Sequence, residues 1–79
     1  IRGGKSLLPA GVTRVEGAFG AGAAVKITGP RGIEIARGLV NYSSDDIERI
    51  KGLKSRQIRE VLGHQEFDEV IHRNNLVVL

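Results

Sequence analysis

The sequence contains no cysteine, methionine or tryptophan. Without thiols, neither a disulfide framework nor a thiolate zinc site stabilises the fold, and two histidines are too few for a metal cage. A domain of 79 residues buries only about 60 to 65% of the surface that its unfolded chain would expose, so a compact apolar core has to stabilise it. The absence of methionine at position 1 predicts that Ile1 lies inside a longer chain.

Long apolar runs are absent as well. No segment approaches the ~18 consecutive apolar residues that a membrane-spanning helix needs, and the N-terminal residues lack the pattern of a secretory signal. These absences predict a cytoplasmic domain that has no membrane partner.

The charge is modest and unevenly distributed, with a formal net value of +3 at pH 7. Residues 1–42 carry six basic and two acidic side chains, whereas residues 43–79 carry six basic and seven acidic ones. Only the first part is net basic, which permits nucleic-acid binding without requiring it.

Short apolar runs separated by turn residues dominate the first half of the chain. Their alternation predicts three strands, over 11–17, 23–29 and 32–40. The stretch TGPRG between the second and third strands supplies a proline with fixed φ and glycines that tolerate positive φ, which predicts an antiparallel hairpin. Gly38, within the third run, is expected to let the chain bend out of that strand.

Two short helices are predicted next. Ser43 or Ser44 caps the first helix, because acidic residues follow in the first turn, where the helix dipole favours them, and Gly52 ends it. Ser55 caps the second helix and Gly63 ends it.

The C-terminal stretch DEVIHRNNLVVL returns to strand composition. Asn74 and Asn75 predict a turn between Val70–Ile71 and Leu76–Leu79. Since terminal strands need partners, the economical arrangement is a mainly β fold, in which a small, mostly antiparallel sheet closes into a barrel and the helices cover an opening.

The segment RIKGLKSRQIR, residues 49–59, is rich in basic side chains and contains no acid. At the start of the second helix, cations and free backbone N–H groups would favour an anion between them, so this segment is a candidate phosphate contact. The alternative is a solvated face whose cations pair with Glu48 or Glu60. The candidate anion or RNA contacts are Lys51, Lys54, Ser55, Arg56 and Arg59.

No catalytic constellation is recognisable. The histidines His64 and His72 have no nucleophile at a matching spacing. The glycine-rich stretch GAFGAG, at 17–22, precedes a strand rather than opening a helix, so it is predicted to be a connection and not a cofactor loop. We therefore assign no catalytic, cofactor-binding or metal-binding residue.

Aromatic side chains are scarce: Phe19, Tyr42 and Phe67 are the whole set. The two phenylalanines are expected in the core. With so few rings available to stack on bases, any RNA recognition would depend on backbone and shape.

Several stretches together resemble the C-terminal PUA domain of bacterial glutamate 5-kinases: KSLLPAGV, VEGAFGAGAAVKI, EIARGLVNYSSDDIERIKG, SRQIREVLG and DEVIHRNNLVVL. The resemblance covers residues 4–79, and its most specific stretches are ARGLVNYSSD and EVIHRNNLV. It implies a single PUA domain over 1–79, excised from the C-terminus of a longer kinase chain. The fold it implies is a six-stranded pseudo-barrel with two or more short flanking helices, of a kind that binds structured RNA in other proteins.

The resemblance also implies what the parent chain does. A glutamate 5-kinase transfers the γ-phosphate of ATP to the side-chain carboxylate of L-glutamate, the first step of proline biosynthesis. The residues for ATP, Mg²⁺ and glutamate would belong to a kinase domain that precedes Ile1, so none of them maps onto this sequence.

Two functional hypotheses follow for the chain itself. It is either a non-catalytic interaction or regulatory module that packs on its own kinase domain or on a neighbouring subunit, or an RNA-binding module that recognises structured RNA. The modest charge and the scarce aromatics favour the first, and the fold resemblance and the basic segment favour the second.

Overall fold

The computed structural model describes residues 5–79, so the first four residues of the predicted domain lie outside the description. The strands are β1 (Ala24–Thr28), β2 (Glu34–Leu39) and β3 (Leu76–Val78). The helices are α1 (Ser44–Ile50) and α2 (Ile58–Leu62). Short 3-10 turns cover Pro9–Gly11, Ser55–Gln57 and Arg73–Asn75.

The three strands form one antiparallel sheet with β2 in the centre. The predicted hairpin between β1 and β2 is confirmed. The Gly29 N–H donates to the Ile33 carbonyl at 2.9 Å, and Gly32 has a φ of 75°, which favours glycine. This part of the sheet therefore follows from local turn chemistry.

The mainly β class is confirmed, but the six-stranded barrel is not. Residues 5–79 contain three strands and one isolated antiparallel bridge, between Leu7 and Ile71. The Leu7 N–H donates to the Ile71 carbonyl at 2.9 Å, which ties the beginning of the described chain to its C-terminal part. Val70 and Ile71 thus contribute a bridge where a strand was predicted.

The strand predicted over residues 11–17 is wrong. A 3-10 turn ends at Gly11, and the residues that follow join no strand of the described structure. Val12 and Val15 are both half-buried against the core, although side chains three residues apart point to opposite faces of a regular strand. Burying both valines therefore requires irregular backbone.

Gly38 does not bend the chain out of β2. It lies inside the strand, paired with Val25 of β1 and Leu76 of β3. A Cβ at this position would lie 2.7 Å from the Asn75 carbonyl oxygen and 2.8 Å from Ile71 Cγ2. The predicted bend is wrong, because the glycine serves the close approach of the C-terminal segment to β2.

The helix ends largely agree with the sequence signals. Ser43 caps α1, since its hydroxyl oxygen accepts the Asp46 N–H at 3.2 Å. Gly52, with a φ of 77°, follows the end of α1, and Gly63, with a φ of 82°, ends α2. Ser44 is not a cap but is buried, and its hydroxyl accepts the Phe19 N–H at 3.0 Å.

The core lies between the inner face of the sheet and the helices. Its buried members come from the stretch between β2 and α1, from both helices and from the C-terminal segment: Val40, Tyr42, Ile47, Ile50, Ile58, Val70 and Ile71. Val25, Ile27 and Leu76 pack against it from the strands. Across residues 5–79 no helix is long and apolar enough to span a membrane.

The prediction for the two phenylalanines holds for one of them. Phe19 is half-buried and packs against the core. Phe67 is 47% exposed, and its ring is perpendicular to that of Tyr42 with the centroids 6.3 Å apart. The Phe67 backbone is hydrogen-bonded to the Tyr42 hydroxyl, which reaches it from the core.

Candidate functional site

The basic segment at residues 49–59 contains cations that are already engaged within the domain. Lys51, which directly follows α1, forms an ion pair with Glu48 of that helix. The guanidinium of Arg49 donates to the Val61 carbonyl at 2.5 Å and so links α1 to α2. These two side chains therefore stabilise the helix pair.

Ser55 is not the cap that the sequence predicts. The residue preceding the 3-10 turn is Lys54, and its backbone N–H donates to Gln57 Oε1 at 2.9 Å. The Ser55 hydroxyl instead donates to the Asp68 carbonyl at 2.8 Å. The glutamine side chain takes over the capping, which leaves the serine free to fasten this turn to the loop after α2.

The remaining candidates are exposed cations. Lys54, Arg56 and Arg59 are all exposed and take part in none of the ion pairs formed within residues 5–79. A guanidinium can bind two phosphate oxygens at once, whereas a lysine acts as a point charge. Three of the five predicted contacts are thus exposed and form no ion pair within residues 5–79.

An acidic hollow of about 260 Å³ lies beside Tyr42 at the start of α1. Its wall includes Asp46 and Glu66, and His64 Nδ1 lies 2.6 Å from Glu66 Oε2. That hydrogen bond lowers the pKa of Glu66 below its ordinary value. The carboxyl groups of Asp46 and Glu66 disfavour a phosphate in this hollow, so an anion site at the beginning of α1 is disfavoured.

Tyr42 connects this hollow to the core. The side chain is buried, its hydroxyl donates to the Phe67 carbonyl, and the Phe67 N–H donates back to the hydroxyl at 3.1 Å. Burial raises the pKa of Tyr42 above its ordinary value, and the carboxylates of Glu66 and Asp68 act in the same direction. The folded state therefore holds the neutral phenol more strongly than the unfolded state does.

We expect the free energy of unfolding to fall as the pH rises through the alkaline titration of Tyr42. A group whose pKa is raised on folding contributes stability that is complete below its unfolded pKa and is lost as the pH passes its folded pKa. Because Tyr42 is the only tyrosine and there is no tryptophan, phenolate absorbance reports on it alone. The native midpoint should lie above that of the denatured chain.

The control for this prediction is Tyr42→Phe. The variant should be less stable at neutral pH by about 1 to 3 kcal/mol, because the Phe67 backbone groups lose their partner. It should also lose the part of the alkaline destabilisation that Tyr42 causes. Equal alkaline losses in both proteins would assign the effect to other groups.

The sequence-based predictions missed two surface features. A cavity of about 460 Å³ with both apolar and charged lining residues lies between β1 and the segment at residues 11–16, where a regular strand was expected. The second feature is the face of the sheet that points away from the core, which exposes Leu39, Val77 and Leu79. The alternation of apolar residues could have indicated strands at these places, but not that one face remains uncovered.

The sheet, the capped helices and the C-terminal bridge agree with the family indicated by the sequence. The family model for the PUA domain matches residues 1–62, and the chain belongs to this family. Relatives that match this chain over its full length include glutamate 5-kinases.

The similarity to individual glutamate 5-kinases is high. The chain is 60% identical over 78 residues to the glutamate 5-kinase of Geobacter sulfurreducens, covering 99% of this chain and 21% of that protein. It is 53% identical over 79 residues to that of Caldanaerobacter subterraneus, covering 100% of this chain and 21% of the relative. The relative from Thermosynechococcus vestitus is 57% identical over 76 residues, covering 96% of this chain and 21% of the relative. The chain thus spans about a fifth of the length of these relatives.

Proposed function

We propose that this chain is the C-terminal PUA domain of a glutamate 5-kinase and acts there as a non-catalytic interaction module. It would pack on its own kinase domain or on a neighbouring subunit and so tune assembly or regulation. The parent enzyme would phosphorylate L-glutamate in the cytoplasm, with ATP and Mg²⁺ bound by the kinase domain outside residues 1–79.

The observation that carries this proposal is the match with glutamate 5-kinases over the whole chain, combined with an uncovered apolar sheet face. Relatives that share 52 to 60% identity with the chain are about five times as long, as the 21% coverage implies. A domain that is retained at the same relative size in such enzymes has a large covalent neighbour available for contact. Exposed apolar side chains grouped on one face are typical of such contacts.

Deleting the domain from the full-length kinase tests this function. Oligomeric state, kinase activity and inhibition by the end product are measured on the full chain and on the truncated one. We expect at least one of the three to change. Unchanged values for all three would overturn the proposal.

Recognition of structured RNA is the second candidate function. It is favoured by the exposure of Lys54, Arg56 and Arg59, three cations close in sequence that form no ion pair within the described part of the chain. Each would neutralise a backbone phosphate and release counterions, as expected for recognition by backbone and shape.

For the RNA function, Lys54→Ala combined with Arg56→Ala should weaken binding of a structured RNA at least about tenfold at low salt. The slope of log affinity against log salt should become shallower by about two. The control is Arg14→Ala, because that exposed guanidinium already pairs with Glu16 at 2.8 Å. A filter-binding titration over a salt series measures both, and an unmodified protein that binds no structured RNA at low salt would exclude this function.

A further inference from the structure

The face of the sheet that points away from the core exposes a group of aliphatic side chains. Side chains alternate along each strand, and Val25, Ile27 and Leu76 point into the core. The register then places a second set on the opposite side, which we call the outer sheet face: Lys26, Arg37, Leu39, Val77 and Leu79. Of these, Leu39, Val77 and Leu79 are 45%, 63% and 66% exposed.

The centre of the outer sheet face carries an excess of positive charge. Lys26 pairs with Arg37 across β1 and β2, and Arg37 pairs with Val77 across β2 and β3. Like charges directly opposite one another are unfavourable. Glu34 forms an ion pair with Arg37, and the charge of Lys26 also acts on the Glu34 carboxylate. Lys26 itself forms no ion pair among the residues that the structure describes. Two cations therefore share one carboxylate, which leaves a net positive charge on this face for a carboxylate from outside.

We propose that the outer sheet face docks on the kinase domain of the same chain, through an apolar surface that presents a carboxylate to Lys26. This inference rests on the proposed function and names the surface that performs it.

The charge of the outer sheet face favours the kinase domain as the partner over a second copy of the domain. In a two-fold contact the same face would meet itself, so Lys26 and Arg37 would approach the identical cations of the other copy. RNA is also a poor match, because the outer sheet face has no aromatic ring on which bases could stack and places three exposed aliphatic side chains there instead.

The glutamate 5-kinases that the chain matches are much longer than the chain itself. The chain covers 21% of the glutamate 5-kinases that it matches, so most of such a protein lies outside this domain and is linked to it covalently. A short linker raises the effective concentration of the two partners into the millimolar range. Under that condition a small face of a few aliphatic side chains and one ion pair is sufficient for docking.

The test uses the full-length kinase that carries this domain. A zero-length carbodiimide reagent joins a lysine amine to a carboxylate in direct contact, and mass spectrometry identifies the joined peptides. We expect a cross-link between Lys26 and a carboxylate of the kinase domain within one chain. Limited proteolysis then measures how fast the junction between the two domains is cleaved.

Two variants disturb the outer sheet face, and one serves as a matched control. Lys26→Glu reverses the free charge, and Val77→Asp places a carboxylate at the centre of the apolar contact. Each should accelerate cleavage of the junction at least about tenfold, since an unpaired charge would be buried in the contact. Arg31→Glu makes the same charge reversal at an exposed cation of the turn between β1 and β2, outside the face, and should leave the rate unchanged.

The outcomes separate this inference from the function on which it rests. Unchanged cleavage in both face variants, in a kinase whose assembly or activity still responds to deletion of the domain, would overturn the surface and leave the interaction role intact. A Lys26 cross-link found only between two chains would overturn docking within one chain. Both the docking surface and the interaction role would be overturned by two results together. The junction of the unmodified kinase would be cleaved as fast as that of the face variants, and deletion of the domain would change neither assembly nor activity.

Discussion

Gly38→Ala is expected to destabilise the domain by about 3 kcal/mol or more. The new Cβ would lie 2.7 Å from the carbonyl oxygen of Asn75 and 2.8 Å from Cγ2 of Ile71. Neither atom can move away easily, because one belongs to the backbone beside β3 and the other to a fully buried side chain. The methyl group would force the C-terminal segment off the inner face of β2.

This loss is large for a domain of 79 residues. Globular domains are stabilised by about 0.05 to 0.15 kcal/mol per residue, so a third or more of the total could disappear with one methyl group. Urea unfolding followed by circular dichroism measures the change.

Gly20→Ala is the matched control for this prediction. A Cβ at Gly20 meets no atom within 4 Å, and the residue does not have a positive φ. We expect a change within about 0.5 kcal/mol, or a slight gain, because alanine restricts the unfolded chain. A Gly38→Ala variant as stable as Gly20→Ala would contradict the close approach of the C-terminal segment to β2.

Ile58→Ala is expected to cost about 2 to 5 kcal/mol. Ile58 is the first residue of α2 and is 0% exposed. Its side chain is one of those that hold the two helices and the C-terminal segment in one core cluster. Removing it leaves a cavity, because the surrounding side chains come from separate elements and cannot all collapse into the space.

The control for Ile58 is the same substitution on the surface. Ile33 is 64% exposed in the hairpin connection, so Ile33→Ala should change the free energy of unfolding by no more than about 0.5 kcal/mol. The midpoint in urea should shift for Ile58→Ala alone, with a similar slope in both proteins. Comparable shifts in the two variants would mean that the core is not centred on the helix pair.

The candidate anion site was predictable only in part. The run of basic residues is visible in the sequence, and Lys54, Arg56 and Arg59 are exposed as a phosphate contact would require. The sequence could not separate them from Lys51, which pairs with Glu48, because several carboxylates lie within reach of a flexible lysine. It also assigned to Ser55 a capping role that Gln57 performs.

By itself the sequence determined the features whose partners lie a few residues apart. The cap at Ser43 acts on Asp46, the left-handed glycine at Gly63 acts on the turn that it ends, and the hairpin closes over the TGPRG stretch. The distinctive stretches also determined the family, to which the chain belongs over residues 1–62. Local geometry limits such choices to a few alternatives, so residue type alone can select among them.

The tertiary structure decided everything that depends on distant residues. It alone determined that residues 11–17 join no strand, since a strand exists only when a second one supplies its hydrogen bonds. It also showed that Gly38 provides room for Ile71 and Asn75, which lie more than thirty residues later in the sequence. Within residues 5–79 it also left the outer sheet face uncovered. Alternation in a sequence shows that two faces exist, but only the packing of the whole chain decides which face the core covers.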